Sequence, residues 1–570
     1  MAMENNKLVI QGPTGRSDSV KIHLTNLSWG RGIGNFFTER IPFSFSTGRE
    51  FSHFLNQLFE LYFTESGRHH AHIYDIGAGL GLLSKHILEV MHKDFSDMSQ
   101  KVSYHVSDYA KSMIDQIHHY GHFKPFKNQV SFDVMDAINP QFKNDSPPHI
   151  MMLMYLLDSL PSRHYEVEDG RIYELMVETT IPSNCTLIDT TCFPPKLLDA
   201  ESIKALILGP DTERKQTLLS RLFECLEETW TWIPLQDSKV SDEEKRLVAE
   251  FVESLPDKSK IRFNFSLEVY QCIHRLLEAA HDDAMLIIYD FGYNNFDFFP
   301  THKGLISEYG LCMFMSVFFP VIEWIAKEKG FHYNVTRYAQ GNSQLAILTR
   351  GLNKQKVDTC FEKLTTADLS NGSTNVIELI KNIEPDDPSF IHIVTKELNK
   401  LSAYNRQGHA LRMTIAIECH KRGLIDPAID YCNAIIKDYG PMSVSTMHLL
   451  GQIYQETGQY EKAEACLFEG LELVPYHYGL FYQLSLVYGK TNKGPQFIEA
   501  AINCLKHIDY ANSIIWNHFI TISIFYIQLQ QKEKAKDLLL WIDMTNDQHP
   551  TLIPEAIVQK AANILNQFFK

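Results

Sequence analysis

The hydrophobic positions follow two different patterns in the two parts of the chain. From about residue 73 to residue 348, short apolar runs rich in Val and Ile alternate with stretches of helical periodicity. This alternation is typical of a parallel sheet whose strands are connected by helices. From about residue 406 onward, the pattern is that of amphipathic helices of similar length. The sequence therefore predicts an α/β first part and an all-α second part, with a boundary between residues 352 and 404.

The second part repeats itself with a period of about 34 residues. The unit around Gly451 serves as the template. A small residue stands 35 residues before Gly451, at Ala416, and others stand 34 and 72 residues after it, at Ser485 and Ser523. This period resembles the tetratricopeptide repeat, in which stacked helical hairpins bury a continuous core. A plain helical bundle is the alternative, but a bundle does not predict a fixed period.

The clearest local motif is a loop with three glycines spaced two residues apart. An apolar strand over residues 73–76 precedes the loop, and helical periodicity begins at Leu82. A strand, a glycine loop and a helix in this order place backbone N–H groups around a ligand. The spacing differs from the G-x-G-x-x-G of dinucleotide folds and favours a ligand that lays an amino-acid moiety, without phosphates, against the loop. We interpret it as a site for S-adenosyl-L-methionine (SAM), with Asp75, Gly77, Ala78, Gly79 and Gly81 as cofactor-binding residues.

Acidic residues stand at the C-terminal ends of the predicted strands. Asp108 follows a strand over residues 102–106, and Asp136 follows one over residues 130–134. Strands over 150–157 and 285–289 are likewise followed by Asp158 and Asp290. Open α/β sheets bind ligands at this edge, so we expect Asp108 to hold the ribose hydroxyls and Asp136 to lie by the adenine. A helix N-cap is the alternative role for each of them.

The order of these motifs resembles that of the MidA-like class I methyltransferases over about residues 35–348. Phe45–Ser52 is similar to the family's Thr-Ser-Pro-Glu-x-Ser element, and Leu157–Pro161, Phe265–Val269 and Asp290–Tyr293 match later elements. Mitochondrial members of the family methylate an arginine of a respiratory complex I subunit. The resemblance implies a Rossmann-like α/β domain with a mostly parallel seven-stranded sheet, SAM as donor, S-adenosylhomocysteine (SAH) as product, and no metal. It adds Thr47 and Tyr109 to the expected cofactor-binding residues.

The chain departs from the family pattern at the expected acceptor pocket. Met154 and Tyr155 stand where the family has Asn-Glu. A nitrogen or oxygen nucleophile must also lose a proton, so a carboxylate or a tyrosine near the methyl group is expected. Asp158 is the favoured candidate for this proton acceptor, because it follows the fourth predicted strand. Glu50 and Asp290 are the other candidate catalytic residues.

These observations divide the chain into four segments. We expect an N-terminal segment (1–34), a methyltransferase domain (35–350), a linker or helical connector (351–404) and tetratricopeptide-like repeats (405–570). An insertion at about 165–264 carries helical patterns, and we expect it to cover the acceptor site. The repeats would present a concave surface to a protein or peptide.

Composition adds constraints on partners and location. The chain has 570 residues, of which 44% are hydrophobic and 21% charged, and its formal net charge of −16 disfavours binding to nucleic acids or anionic membranes. Ten cysteines are too dilute for a disulfide scaffold. The N-terminus lacks a signal-peptide layout, and no apolar stretch is long enough to span a membrane. We expect a cytoplasmic protein.

The leading hypothesis is a SAM-dependent methyltransferase that acts on Arg or Lys of a protein recruited by the repeats. A degenerate methyltransferase fold that serves as an adaptor is the first alternative, favoured by Met154 and Tyr155 and opposed by the glycine loop and Asp108. A small-molecule O- or N-methyltransferase whose repeats only form a homodimer is the second.

Overall fold

The computed structural model describes residues 7–29, 45–143, 146–256, 260–294, 306–309, 312–336, 343–366, 371–507, 514–549 and 552–569. The expected boundary between residues 34 and 35 lies outside these ranges. Within them, strands are confined to the first part of the chain, and only helices follow residue 350.

The strands, in chain order, are β1 (Lys7–Gly15), β2 (Ala71–Ile76), β3 (Val102–Asp108), β4 (Val130–Val134), β5 (Ile150–Met154), β6 (Arg163–Glu168), β7 (Arg171–Pro182), β8 (Leu187–Asp189), β9 (Lys196–Leu198), β10 (Glu227–Pro234), β11 (Lys260–Phe265), β12 (Ala284–Tyr293), β13 (Ile306–Tyr309), β14 (Cys312–Met315), β15 (Val317–Phe318), β16 (His332–Val335) and β17 (Ser343–Arg350).

The helices of the first part and the connector are α1 (Val20–Trp29), α2 (Arg49–Ser66), α3 (Leu82–Asp94), α4 (Ser96–Ser99), α5 (Lys111–Tyr120), α6 (Ala200–Leu208), α7 (Glu213–Thr217), α8 (Leu219–Glu224), α9 (Asp242–Ser254), α10 (Leu267–Ala279), α11 (Phe319–Glu328), α12 (Lys354–Thr366), α13 (Asn371–Lys381) and α14 (Phe390–Leu398). Those of the second part are α15 (His409–Lys421), α16 (Ile425–Tyr439), α17 (Val444–Glu456), α18 (Tyr460–Leu473), α19 (Tyr478–Lys490), α20 (Gly494–His507), α21 (Ile514–Gln528), α22 (Lys532–Gln548) and α23 (Glu555–Phe568).

A mixed central sheet organises the first part. Its strand order is β16-β17-β12-β5-β2-β3-β4, and β15 pairs with β12 in addition. β2 is parallel to β3 and β5, while β17 is antiparallel to β12 and β16. The inner strands are buried on both faces, as the unbroken apolar run of β5 shows, because helices cover the sheet on each side.

Two details differ from the expectation. The described sheet has eight strands rather than seven, because Gly292 lets the backbone of β15 approach β12: a Cβ there would lie 2.1 Å from the carbonyl oxygen of Val317. The fourth predicted strand, expected over 150–157, ends at Met154. Tyr155 has a φ of 54°, a left-handed conformation that extended strands do not contain.

The insertion is not only helical, which corrects the expectation for residues 165–264. Strands β6, β7, β10 and β11 form an antiparallel sheet within or beside it, and β1 adds to this sheet by pairing with β7. Alternating patterns such as Trp230-Thr-Trp232 belong to these strands. The predicted helical patterns are present as α6 to α9, so the insertion combines both kinds of element.

The second part consists of helices that pack on their sequence neighbours. Contacts are densest between α15 and α16, α17 and α18, and α19 and α20. The small residues of the period lie where helices approach closely: a Cβ on Gly451 of α17 would be 2.5 Å from Leu467 Cδ2 of α18. None of the described helices is long and apolar enough to cross a membrane.

The two parts share one hydrophobic cluster. Leu80 and Leu82, at the glycine loop, and Met113 of α5 are buried in the same cluster as Leu467 of the helical part. A second contact joins the insertion to α20 and α21, where Arg221 donates to the backbone oxygens of Leu505 and Lys506 at 3.3 and 3.1 Å. The helices therefore pack along both the glycine-loop region and the insertion.

A row of histidines lies on the central sheet, away from the glycine loop. His72 Nδ1 and His105 Nε2 are 3.0 Å apart, and His105 Nδ1 is 2.7 Å from Ser131 Oγ. Continuing the row, the rings of His149 and His281 stack at 4.8 Å. Burial and the neighbouring histidine lower the pKa of His105 to about 4. His105 is therefore neutral at pH 7.

Replacing Gly451 with valine should lower the free energy of unfolding by about 2 kcal/mol, because the new side chain would clash with Leu467. Gly489→Ala is the matched control, since the nearest atom to its Cβ would be 3.5 Å away. That variant should be neutral or more stable by up to about 1 kcal/mol. Urea denaturation of both variants measures the difference. Equal stabilities would contradict this packing.

Acid should destabilise the fold through His105. Its pKa is lower in the folded than in the unfolded protein, so protonation favours unfolding as the pH falls from about 6.5 towards 4. The loss from this group is on the order of 3 kcal/mol at pH 4. Urea denaturation at several pH values should show a shallower pH dependence for His105→Gln than for the wild type. A variant at exposed His119 should keep the wild-type dependence.

Candidate functional site

The glycine loop joins β2 to α3 in a conformation that requires glycine. Gly77, Gly79 and Gly81 have φ values of 77°, 57° and 70°. A Cβ on Gly77 would lie 2.9 Å from Leu156 Cδ1. The backbone N–H groups of Gly77 and Ala78 both donate to the Ser107 carbonyl oxygen at 2.9 Å, which fixes the loop against the end of β3. The half-buried loop is thus held in one conformation beside the N-terminus of α3.

Asp108 stands at the end of β3 beside this loop. Its carboxylate accepts hydrogen bonds from the Gly79 and Ala110 N–H groups, each at 2.9 Å. Burial raises the pKa of Asp108, while these two hydrogen bonds oppose the rise. Each carboxylate oxygen has a further lone pair, so Asp108 retains the capacity to accept hydroxyl groups. The structure brings Asp108 and the glycine loop together, as the sequence predicted.

Asp75 lies beneath the loop rather than on its surface. It is 2% exposed, and its carboxylate accepts a hydrogen bond from Ser84 Oγ in the first turn of α3. Burial raises the pKa of Asp75 to about 6. Asp75 therefore supports the junction of β2, the glycine loop and α3. Its buried position does not favour direct contact with a ligand.

The remaining predicted cofactor residues differ in their surroundings. Asp136, after β4, is half-buried and accepts from the Ile138 N–H at 2.9 Å, so it caps its own turn. Tyr109 follows Asp108 with its side chain 76% exposed, where it is accessible from solvent. The Thr47 carbonyl oxygen accepts from His86 Nδ1 at 2.6 Å, which ties this segment to α3.

A buried pair of carboxyl groups lies where β5 and β12 end. Asp158 and Asp290 are 1% and 0% exposed. Asp290 accepts from the N–H groups of Leu157 and Phe291 at 2.7 and 2.8 Å. Neither carboxyl oxygen of Asp158 accepts a hydrogen bond from a donor of another described residue. The sequence predicted both residues at this edge, and the structure brings them together.

Burial raises the pKa of both carboxyl groups. Burial, together with the negative charge of Asp290, holds the pKa of Asp158 well above its usual range. Burial raises the pKa of Asp290 to about 7, although backbone N–H groups and Asp158 oppose the rise. Asp158 therefore keeps its proton at neutral pH, and Asp290 gains or loses its proton near pH 7.

Aromatic rings from the same two strand ends cluster near this carboxyl pair. Tyr155 contacts Tyr289 with ring centroids 5.3 Å apart and Phe291 with centroids 5.1 Å apart. Ser46 Oγ donates to the Tyr155 hydroxyl at 3.2 Å. Sequence reasoning missed Tyr289, whose only signal was its place beside Asp290 at a strand end. Tyr155 keeps a left-handed φ of 54°, a strained conformation of the kind that concentrates at functional sites.

Glu50 does not join this group among the described residues. It lies in the first turn of α2, and its carboxylate accepts from Ser402 Oγ of the connector at 2.6 Å. Its described contact is therefore with the connector and not with Asp158 or Asp290. The sequence could not reveal this, because the connector lies more than 300 residues away along the chain.

A glycine loop after β2, a carboxylate at the end of β3 and a helix N-terminus lie at the carboxyl ends of the strands, the edge at which open α/β sheets bind nucleoside-containing cofactors. Residues 54–305 match the family described as "Putative S-adenosyl-L-methionine-dependent methyltransferase", and residues 444–477 match the tetratricopeptide repeat. Residues 54–305 are therefore similar to a family of SAM-dependent methyltransferases, and residues 444–477 are similar to a tetratricopeptide repeat. The resemblance to methyltransferases and to this repeat is confirmed, and a fixed period explains the second part better than a plain bundle does.

Solved structures give only distant similarities. An uncharacterized protein from Burkholderia thailandensis, whose native crystal structure is known, is 10% identical to this chain, with a TM-score of 0.39. The match covers 60% of this chain and 88% of that one. A second Burkholderia thailandensis protein, described as a likely methyl transferase and bound to S-adenosyl-homocysteine, is also 10% identical, with a TM-score of 0.37. This match covers 60% of this chain and 89% of that one. A SAM-dependent methyltransferase from Aquifex aeolicus is 8% identical, with a TM-score of 0.22 and coverages of 52% and 87%. No curated protein matches the sequence.

The described residues contain no group of three or more His, Cys, Asp or Glu side chains arranged to hold a metal ion. A metal-free reaction stays a prediction. The chemistry of the site suits SAM through Asp108, whose carboxylate oxygens keep lone pairs for the ribose hydroxyls.

Asp108→Asn should weaken SAH binding about tenfold or more, because an amide cannot accept from the Gly79 N–H, the Ala110 N–H and the ribose hydroxyls together. Isothermal titration calorimetry measures the change. Asp115→Asn, at an exposed position on α5, is the control and should bind SAH as the wild type does. Equal affinity of Asp108→Asn and the wild type would remove Asp108 from the cofactor site.

Proposed function

We propose that the protein transfers a methyl group from SAM to a side-chain nitrogen of arginine or lysine in a protein substrate. The observation that carries this proposal is the buried Asp158–Asp290 pair at the carboxyl ends of β5 and β12. An arginine or lysine nitrogen carries a proton that must leave when the nitrogen is methylated. A carboxyl pair that titrates near neutral pH is suited to accept this proton.

The roles of the chain's residues follow from their positions. When bound, SAM supplies an electrophilic methyl group on a sulfonium that leaves as a neutral thioether. The glycine loop and Asp108 orient the donor, with Asp136 and Tyr109 near its nucleoside end, and the rings of Tyr155, Tyr289 and Phe291 exclude water from the acceptor side. The acceptor nitrogen forms the new bond to carbon while the carbon–sulfur bond breaks, and the nitrogen's proton moves to the Asp158–Asp290 pair. The protein mainly positions the reactants.

Two further features support a basic protein as the substrate. Most of the net charge of −16 lies before residue 405, and an acidic surface attracts cationic segments. The repeats expose large apolar side chains, including Phe468 and Met544, on surfaces suited to recruiting a protein. The resemblance to arginine-methylating MidA-like proteins favours arginine over lysine. A cytoplasmic location is also part of this proposal, supported by the low cysteine content.

Asp290→Asn should slow methyl transfer by about 100-fold or more without weakening SAH binding, since it removes the carboxylate that accepts the proton but not the glycine loop. Transfer is measured with methyl-labelled SAM and a whole-cell lysate, and SAH binding by calorimetry. The wild-type rate should rise with pH through about 7, because the pair accepts a proton only after it has lost one. Asp282→Asn, exposed at the opposite end of β12, is the control.

The same experiment tests the class of acceptor. Label in polypeptide, recovered as methylated arginine or lysine, supports the proposal. Label only in small solutes would favour a small-molecule methyltransferase, and SAH binding without any transfer would favour an adaptor. A rate independent of pH between 6 and 8 (a range of about one unit on each side of the pair's titration) would contradict the role of the carboxyl pair.

A further inference from the structure

A short segment before α2 links the two sides of the site. This entry segment, Phe45–Thr47, forms a single 3-10 turn. Ser46 Oγ donates to the Tyr155 hydroxyl at 3.2 Å on the acceptor side, and the Thr47 carbonyl oxygen accepts from His86 Nδ1 at 2.6 Å on the cofactor side. The position of the entry segment therefore depends on how His86 and the start of α2 are held.

The hairpin of α15 and α16 (His409–Tyr439), which we call the first repeat, reaches this region through Asp438, near the end of α16. Arg49, at the start of α2, has Nη2 3.5 Å from Asp438 Oδ1 and 2.7 Å from Glu89 Oε2. Lys85 of α3 donates to the backbone oxygen of Asp438, and Arg412 pairs with its carboxylate. Asp438 thus contacts cationic side chains from both helices that flank the entry segment.

Tyr439 packs against the histidine that holds Thr47. The Tyr439 side chain is 2% exposed, and its ring meets the His86 ring edge-on with centroids 5.3 Å apart. His86 is fully buried, and burial, together with Arg49 and Lys85, holds its pKa well below the usual range. The imidazole is therefore neutral, and its Nδ1–H is free to donate to Thr47 in one fixed orientation.

The glycine loop itself also contacts the repeats. Leu80, between the second and third glycines, is 2% exposed, and Leu82 at the start of α3 is 4% exposed. Both lie in one hydrophobic cluster with Tyr439, Met442 and Val444 of the repeats. The repeats thus form the outer wall of the loop that faces the cofactor on its other side.

We propose that Asp438 and Tyr439 of the first repeat are positioning residues for the cofactor site. They hold α2, α3 and His86 so that Thr47 and the glycine loop keep the geometry that receives SAM. This inference rests on the proposed assignment of the glycine loop and Thr47 to the cofactor. It gives the repeats a role within the enzyme beside the recruitment of a substrate, and it makes cofactor affinity sensitive to whatever binds or displaces the first repeat.

The test measures SAH binding by calorimetry in the full chain. Asp438→Asn and Tyr439→Leu should each weaken SAH binding about fivefold, because the loop and Thr47 lose their support on one side. Asp430→Asn removes the same charge from an exposed position on α16 and should bind SAH as the wild type does. Thermal unfolding of each variant without ligand shows that it is folded.

A kinetic readout separates positioning from a general loss of stability. The KM for SAM should rise about fivefold in both variants while kcat, measured by labelled transfer, stays within about twofold. Arg49→Gln should weaken SAH binding similarly, and its combination with Asp438→Asn should weaken binding less than the product of the two single effects, because both act through one ion pair.

Two outcomes would overturn the proposal in different ways. If the wild type binds no SAH, the cofactor assignment fails, and the positioning role fails with it. If the wild type binds SAH and both variants bind it equally well, the assignment stands and only the positioning role is wrong. A variant that does not fold is replaced in the comparison by Arg49→Gln, which lies outside the repeats.

Discussion

The carboxyl ends of the parallel strands meet at one edge of the central sheet, and every part of the site depends on this constraint. β2, β3, β5 and β12 run in the same direction, so the glycine loop, Asp108, Asp158 and Asp290 all emerge on the same side. Side chains separated by about 200 residues therefore become neighbours without any long excursion of the chain. The strands are buried on both faces, as the apolar run of β5 shows, and the helices packed on each side hold this geometry.

The sequence predicted the parts of the site that follow directly from this constraint. A strand, a glycine loop and a helix are recognisable locally, since positive φ values restrict the loop positions to glycine. The acidic residues at strand ends were equally visible, and the structure brings Asp158 and Asp290 together. The sequence could not predict contacts between segments that lie far apart along the chain. Glu50 turns towards Ser402 of the connector, and Asp75 lies under the loop, because tertiary packing rather than local pattern decides where a carboxylate points.

The errors in the fold prediction have similar origins. The sequence predicts a helical insertion because the helices of this segment have long periodic patterns. Its strands depend on a partner outside the insertion, since β7 pairs with β1 near residue 7. The eighth strand of the central sheet has two residues and no pattern of its own. It exists because Gly292 has no side chain to keep Val317 away. Tertiary contacts, and not the β-propensity of their residues, determine where such short strands form.

The pairing of β1 with β7 has a consequence for how the protein reaches its native state. Lys7 lies opposite Pro182, so the second sheet cannot close until a long stretch of chain has been made and brought back to its beginning. The helical repeats, in contrast, are built from contacts between successive helices. Contacts between residues near in sequence form faster than contacts between residues far apart. On a ribosome, β1 would therefore stay unpaired on both edges until β7 emerges, and at this stage the nascent chain is exposed to aggregation.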